Sequence, residues 1–299
     1  MEYVLSVIGN PAGPPVSDAA VDWAAGSMRD AGAEIAPPDW LAPGIACDVR
    51  FSGLEPRAAM LAASQFMCGT PVDLVAQPLA DRRKRLLIAD MDSTIINCEC
   101  IDELADFAGL KTKVAAITER AMRGELDFRA ALRERTAMLH GLDAAVLERV
   151  FRERVRLNPG ARQLVQTMRK HGAFTALVSG GFTYFTGRVR AAAGFDFDQA
   201  NELLLLDGRL AGTVQEPILD AGAKLAALTN LAAARGLKRS ETLAVGDGAN
   251  DLPMLQAAGL GVAYHAKPMV AKAAEAVINR GDLTALLYLQ GYRRAEFAD

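Results

Sequence analysis

Two rhythms of apolar positions divide the chain. In the first stretch they come as short runs and one amphipathic segment. Residues 3–8 (YVLSVI) are nearly all apolar and predict a strand. The Pro- and Gly-rich segment 10–15 predicts a loop. Ser17 and Asp18 are good helix caps, and the helix they open is expected to reach about Asp30 and to stop at Gly32. Short strands near 33–36 and 46–52 follow around a Pro/Gly-rich loop. A helix from about Pro56 to Met67 and a strand near 72–76 come next. The order β-α-β-β-α-β is that of ferredoxin-like folds. Residues 78–85 read as a linker.

Beyond it, apolar runs alternate with helical segments, which predicts a parallel α/β sheet. Leu86–Ala89, Ala173–Val178, Leu243–Val245 and Gly261–Tyr264 are its expected strands. Asp207-Gly208, between apolar segments in 203–214, is a two-residue hairpin signal. Residues 100–156 contain no convincing strand and read as short helices broken at Gly109, Gly124 and Gly141. The α/β pattern is therefore interrupted after its first strand by a helical insertion, about 97–158. Lying over the strand ends, such a cap would exclude water from a site there. Residues 1–80 and 81–299 are the expected domains.

Composition narrows the function classes. The 299 residues are 51% hydrophobic and 23% charged, an ordinary globular balance that excludes disorder. With aromatics at 6%, the core must rest on Ala, Leu, Val and Ile. Lys and Arg number 33 against 36 Asp and Glu, so no basic excess marks a nucleic-acid partner. The one basic run, Arg82-Arg83-Lys84-Arg85, reads as a solvated linker. No uninterrupted apolar run approaches membrane-spanning length, and residues 1–10 lack the pattern of a secretory signal. Cys98-Glu99-Cys100 has no second Cys/His pair at zinc spacing, and His140, His171 and His265 stand apart. Four cysteines make no disulfide framework, and a reduced, cytoplasmic setting is expected.

Three of the predicted strands end in polar, Gly-rich turns: LLIAD-MDST, TALVS-GGF and LAVGD-GANDL. In open α/β sheets ligands bind at such carboxyl ends, so the three turns are candidates for one site. Asp90 and Asp92 suit a divalent cation or, equally, the side-chain hydrogen bonds of a turn. A calcium loop starting at Asp90 fails, because Ile95 and Ile101 stand where Gly and Glu are required. Ser179-Gly180-Gly181 suits a phosphate or a turn needing positive φ. Residues 246–251 (GDGAND) offer carboxylates to a metal but carry no dinucleotide fingerprint, and no P-loop is present.

Asp90-Met91-Asp92-Ser93-Thr94 resembles the D-x-D-x-T signature of haloacid dehalogenase-like phosphatases. Ser179, Lys224 and the 246–251 loop match that family's three later motifs, in order. Within the family, DMDSTIINCE at 90–99, SGGF at 179–182 and GDGANDLPML at 246–255 are closest to the phosphoserine-hydrolysing members. The resemblance covers about residues 84–290. It implies a Rossmann-like core and Mg²⁺-dependent hydrolysis of L-phosphoserine through an aspartyl-phosphate. Asp90 would be the nucleophile and Asp92 the acid/base. Mg²⁺ would sit on the Asp90 and Asp247 side chains and the Asp92 carbonyl, with Asp251 in support. Ser179, the Gly180 amide and Lys224 would hold phosphate, with Asn250 close by. Glu99 would meet the substrate ammonium and Arg135 its carboxylate. From residue pattern alone Arg135 is a surface helix charge. Met122 and Phe128 would close the cap, or simply pack its core. Phosphotransfer to another hydroxyl such as homoserine, and an amino-acid-sensing regulatory protein, are the alternatives. The N-terminal order resembles the ACT domains found beside some of these enzymes, which makes a homodimer an expectation.

Overall fold

The computed structural model describes residues 2–65 and 70–298. The expected helix end at Met67, and Cys68, lie outside the described residues.

The first element is β1 (Tyr3–Gly9), followed by α1 (Asp18–Asp30), whose Ser17 cap accepts the Ala20 N–H. Gly32 ends the turn beyond it at φ +98°. Then come β2 (Glu34–Ile35), β3 (Asp39–Ala42), β4 (Ala46–Ser52), α2 (Pro56–Ser64) and β5 (Val72–Pro78). The main path of the sheet runs β2-β4-β1-β5, antiparallel throughout, the ferredoxin-like arrangement. Strand β3, which pairs with β4, lies in the segment expected to be loop. Only four residues long and flanked by prolines, it owes its conformation to its partner rather than to its own pattern.

The second layer begins with β6 (Leu86–Ala89). The inserted helices are α3 (Cys100–Asp106), α4 (Lys111–Met122), α5 (Phe128–Ala137) and α6 (Ala145–Glu153). Gly109, Gly124 and Gly141, all at positive φ, separate them. There follow α7 (Ala161–Lys170), β7 (Phe174–Phe182), α8 (Thr183–Ala193), β8 (Phe197–Asn201), β9 (Leu203–Leu206), β10 (Arg209–Val214), α9 (Ala221–Ala234), β11 (Thr242–Gly246), α10 (Leu252–Ala257), β12 (Leu260–Tyr264), α11 (Pro268–Ala273), β13 (Ala276–Ile278) and α12 (Ala285–Leu289). Six strands form a parallel sheet ordered β13-β12-β11-β6-β7-β8. Edge strands β8 and β13 were not legible as apolar runs, since FDQAN is polar and AVI is too short.

Central strands buried on both faces need no polar alternation. β6 shows why. Leu87 and Ala89 face the cluster that includes α7, α12 and the cap, while Leu86 and Ile88 face α9 and α10. The hairpin β9–β10 turns at Asp207 (φ +49°) and Gly208 (φ +74°), as that dipeptide predicts. It serves the cap: Gly141 N–H donates to Leu210 O, Leu210 N–H to Leu142 O, and Ala144 N–H to Gly208 O. Cap chain enters and leaves through the Ile96–Leu157 bridge, with the Asn97 N–H donating to Arg156 O.

The basic run is only half solvated: Arg83 and Arg85 are exposed, whereas Arg82 and Lys84 are not. Arg82 is nearly buried and pairs with buried Asp48 on β4; it also donates to Ser6 Oγ and to the carbonyls of Tyr288 and Leu289. Lys84 is 6% exposed, its ammonium donating to Asp81 O and Ser240 O. Arg83 lies over the Tyr292 ring and pairs with Glu296. A charge run shows nothing of such partners, because Asp48 and residues 288–296 are remote in sequence. Asp73 on β5 adds a second clasp, accepting the N–H groups of Asn279, Arg280 and Gly281.

Candidate active site

Strands β6, β7 and β11 bring their polar turns to one end of the sheet, where the cap covers them. The resulting cleft, about 370 Å³ including its open mouth, is lined by Asp90, Asp92, Glu99, Arg135, Ser179 and Asn250, with Met122 and Phe128 among its apolar walls. Lys224, Asp247 and Asp251 lie buried beside Asp90. All the residues predicted for the site therefore come together.

Asp90 ends β6. Its Oδ1 accepts the Met91 N–H (2.8 Å) and lies 2.7 Å from Lys224 Nζ, leaving Oδ2 unengaged among the described residues. The chain then makes a loose turn closed by the Ile96 N–H on Met91 O, with Ser93 at φ +55°. That turn holds the Asp92 carboxylate in place. Cys100 N–H donates to Oδ1 (2.9 Å), and Ser179 Oγ reaches Oδ2 at 3.3 Å. Ser93 Oγ donates to Glu99 Oε1 at 2.6 Å.

The glycines of the second turn are needed for closeness, not for positive φ. A Cβ on Gly180 would stand 2.5 Å from the Phe128 ring, and one on Gly181 2.5 Å from Asp92 Oδ2. Gly181 N–H donates to Ser179 Oγ (2.8 Å), and Asn201 at the end of β8 donates to Gly180 O (2.9 Å). Asn201 also donates to Leu219 O and accepts the Leu219 N–H, tying this turn to the loop before Lys224. Sequence reasoning passed over Asn201 because its strand was not recognised.

On the third turn, Asp251 Oδ2 accepts the N–H groups of Asp247 and Gly248, and its Oδ1 accepts from Lys224 at 2.6 Å. Thr94 Oγ1 donates to Asp247 Oδ1 at 3.1 Å. The carboxylates of Asp90, Asp247 and Asp251 offer oxygens within 4.8 Å of one another. Both Asp251 oxygens are engaged by protein donors, so it supports the cluster from behind.

The electrostatics are those of too many anions around one cation. Burial first, then the Asp251 charge, pushes Asp90 up to about 7 despite Lys224. Burial raises Asp92 to about 6, and burial with the Asp92 charge raises half-buried Glu99 to about 7. Asp247 is raised well above the usual carboxylate range by burial, Glu99 and Asp251. Burial opposes the Lys224 charge, yet Asp251 and Asp90 outweigh it and hold the ammonium above its ordinary value. One ammonium shared between two carboxylates does not offset the burial of Asp90, which remains raised. Asn250 Oδ1, buried without a hydrogen-bond partner, is a further unused oxygen at the same place. This donor set fits a hard divalent cation.

On the cap side, Arg135 is 2% exposed, not a surface charge. Its Nε donates to Ala131 O and its NH1 to Thr118 Oγ1, and no carboxylate among the described residues lies within ion-pair distance. Burial lowers its pKa, while Glu99 and Asp102 work against that. Two of five guanidinium N–H groups are spent, in a side chain facing the cleft. The cap meets the core unevenly. On one flank it is bonded to the hairpin, and Arg129 and Arg133 pair with Asp220 and Glu216. On the other, Met122 packs over Gly248 and Gly124 over Ala249 and Met269.

Residues 87–256 match the model of the haloacid dehalogenase-like hydrolases. The chain belongs to that family. A phosphoserine phosphatase of Polaromonas sp. (strain JS666) is 50% identical over 210 residues, 69% of this chain and 89% of that protein. One of Streptomyces coelicolor is 46% identical over 256 residues, covering 85% of this chain. The chain spans 62% of that relative's length, just under two thirds. Among solved structures, a family hydrolase from Salmonella enterica serovar Typhi superposes with a TM-score of 0.81 at 30% identity, over 96% of this chain and 98% of that one. A phospho-aspartyl intermediate analogue of phosphoserine phosphatase superposes at 0.66 with 37% identity, over 69% of this chain and 98% of that one. None of the helices among the described residues is long and apolar enough to cross a membrane.

Proposed function

We propose that the protein is a phosphoserine phosphatase, hydrolysing L-phosphoserine to serine and phosphate as a last step in serine formation. The observation that carries the substrate is the pair Arg135 and Glu99. A buried guanidinium with unspent donors and a carboxylate line the same cleft as Asp90. An apolar or sugar phosphate would leave that cation buried and unpaired, at a cost of several kcal/mol; a zwitterionic amino-acid phosphate answers both charges.

In the reaction so read, Asp90 attacks phosphorus. The bond to the serine oxygen breaks, and Asp92 delivers its proton to that oxygen, leaving phosphate on Asp90. Asp92 then takes a proton from the attacking water, the Asp90–phosphorus bond breaks, and phosphate is released. A carboxyl pushed up to about 6 is suited to both transfers near neutrality. Ser179 and Lys224, with the Gly180 N–H, hold the phosphoryl oxygens, and Asn250 lies beside them. Phe128 and Met122 close the cleft against water. A divalent cation, Mg²⁺ by the family pattern, would be held by Asp90, Asp247 and the Asp92 carbonyl, and supplies charge neutralisation as the anionic nucleophile meets an anionic phosphate.

The same reading divides the chain at about residue 80, with residues 1–80 an ACT-like unit and the insertion at 97–158 a cap. A cytoplasmic homodimer completes it. Free Cys47, Cys98 and Cys100 support a reducing setting. Phosphate release with Mg²⁺ should be far faster from L-phosphoserine than from glucose 6-phosphate, and should not fall when homoserine is added. Comparable rates on both substrates would end the substrate assignment, and phosphohomoserine in the mixture would favour phosphotransfer.

A further inference from the structure

We infer that Thr118 and Asp102 are positioning residues that tune substrate selection through Arg135. The inference rests on the reading of Arg135 as the partner of the substrate carboxylate.

Three cap helices meet on one hydroxyl. Thr118 on α4 is 3% exposed; its Oγ1 lies 3.0 Å from Arg135 NH1 on α5 and 2.6 Å from Asp102 Oδ1 on α3. The direction of these bonds is fixed by chemistry. A guanidinium only donates, so the threonine oxygen accepts from Arg135. Its single hydrogen is then free for a carboxylate oxygen of Asp102, and the 2.6 Å separation is that of a charge-assisted bond. Val114 O, at 3.1 Å, is the weaker competitor for the same hydrogen.

The hydroxyl works as a spacer. Asp102 attracts Arg135 but makes no ion pair with it. A direct bidentate pair would consume the planar fork that a substrate carboxylate needs. With threonine between them, the guanidinium is anchored at Nε and one NH1 hydrogen, its charge is partly offset, and its remaining donors stay available. Fixing the fork in advance lowers the ordering cost of binding, so the effect belongs to affinity for a carboxylate-bearing substrate.

The test uses the full-length, Mg²⁺-loaded protein with L-phosphoserine and with p-nitrophenyl phosphate, which has no carboxylate. Thr118→Val keeps the shape and removes the hydroxyl. It should raise KM for phosphoserine about tenfold, the worth of one charge-assisted hydrogen bond, with kcat held within about twofold. KM for p-nitrophenyl phosphate should stay within about twofold, and Thr118→Ser should restore phosphoserine binding. Asp102→Asn, which keeps the Thr118 hydroxyl, should shift the same KM in the same direction and serves if the valine variant fails to fold. An unchanged phosphoserine KM in both variants, or an equal rise on both substrates, overturns the inference. Arg135→Ala separates the two levels. If it leaves phosphoserine KM unchanged, the Arg135 reading itself falls. If it raises KM while the Thr118 and Asp102 variants do not, only the positioning role falls.

Discussion

At the scale of the residue, the site depends on side chains that hold other side chains. Asn201 is the plainest case. It fixes the Gly180–Gly181 peptide from one side while Ser179 Oγ holds it from the other, and Ser179 in turn reaches Asp92. Asn201→Asp keeps the volume but sets a carboxylate against two carbonyls. It should lower kcat about tenfold with KM little changed, as expected for losing about 1.4 kcal/mol of orientation at the reacting groups. Steady-state kinetics on phosphoserine decide it; a variant with full kcat would detach Asn201 from Ser179. Asp90, Asp92, Ser179 and Asp247 could be singled out in the sequence because their turns match a family's motifs in order; spacing alone left a plain turn equally open. Arg135 came from the family resemblance alone, and Thr118 was not singled out. Their helices look amphipathic either way, and only the packed cap shows that the guanidinium faces inward.

At the scale of the element, three strand ends gather four buried carboxylates around one lysine. Asp90, Asp92 and Glu99 have folded-state pKa values raised to about 7, 6 and 7, above their unfolded values. In that window the folded state binds more protons than the unfolded one, so stability must fall as pH rises. Metal-free protein should therefore show a lower Tm at pH 8 than at pH 5. Excess Mg²⁺ should recover stability at pH 8 more than at pH 5, because it replaces the missing protons. Thermal scans in chelator and in Mg²⁺ measure both, and a chelated Tm that is level across this range would contradict the raising of these buried carboxyls. The strands themselves were legible where an apolar run is buried on both faces, as in β6 and β11. Edge strands β3, β8 and β13 were not, since their conformation comes from the neighbour each pairs with.

At the scale of the whole molecule, the run at 82–85 shows how a local pattern misleads. Read alone it is a hydrophilic linker; folded, it fastens the antiparallel layer to the C-terminal segment through Arg82, Asp48 and the carbonyls of Tyr288 and Leu289. Breaking a buried pair by removing one partner costs about 3–5 kcal/mol, so Arg82→Ala should lower the urea midpoint markedly. Chemistry at the distant cleft should keep its kcat below the melting range. Paired denaturation and activity assays check both, and a variant as stable as the parent would mean that Asp48 finds other compensation. The cap's uneven seating has a consequence of another kind. One flank is sewn to the hairpin by backbone hydrogen bonds, while among the described residues no hydrogen bond ties the Met122 and Gly124 flank to the core. The flank without such bonds is the one that parts from the core at the smaller cost in hydrogen bonds. Anything wedged beneath α4 is therefore expected to hinder ligand traffic without touching a catalytic group.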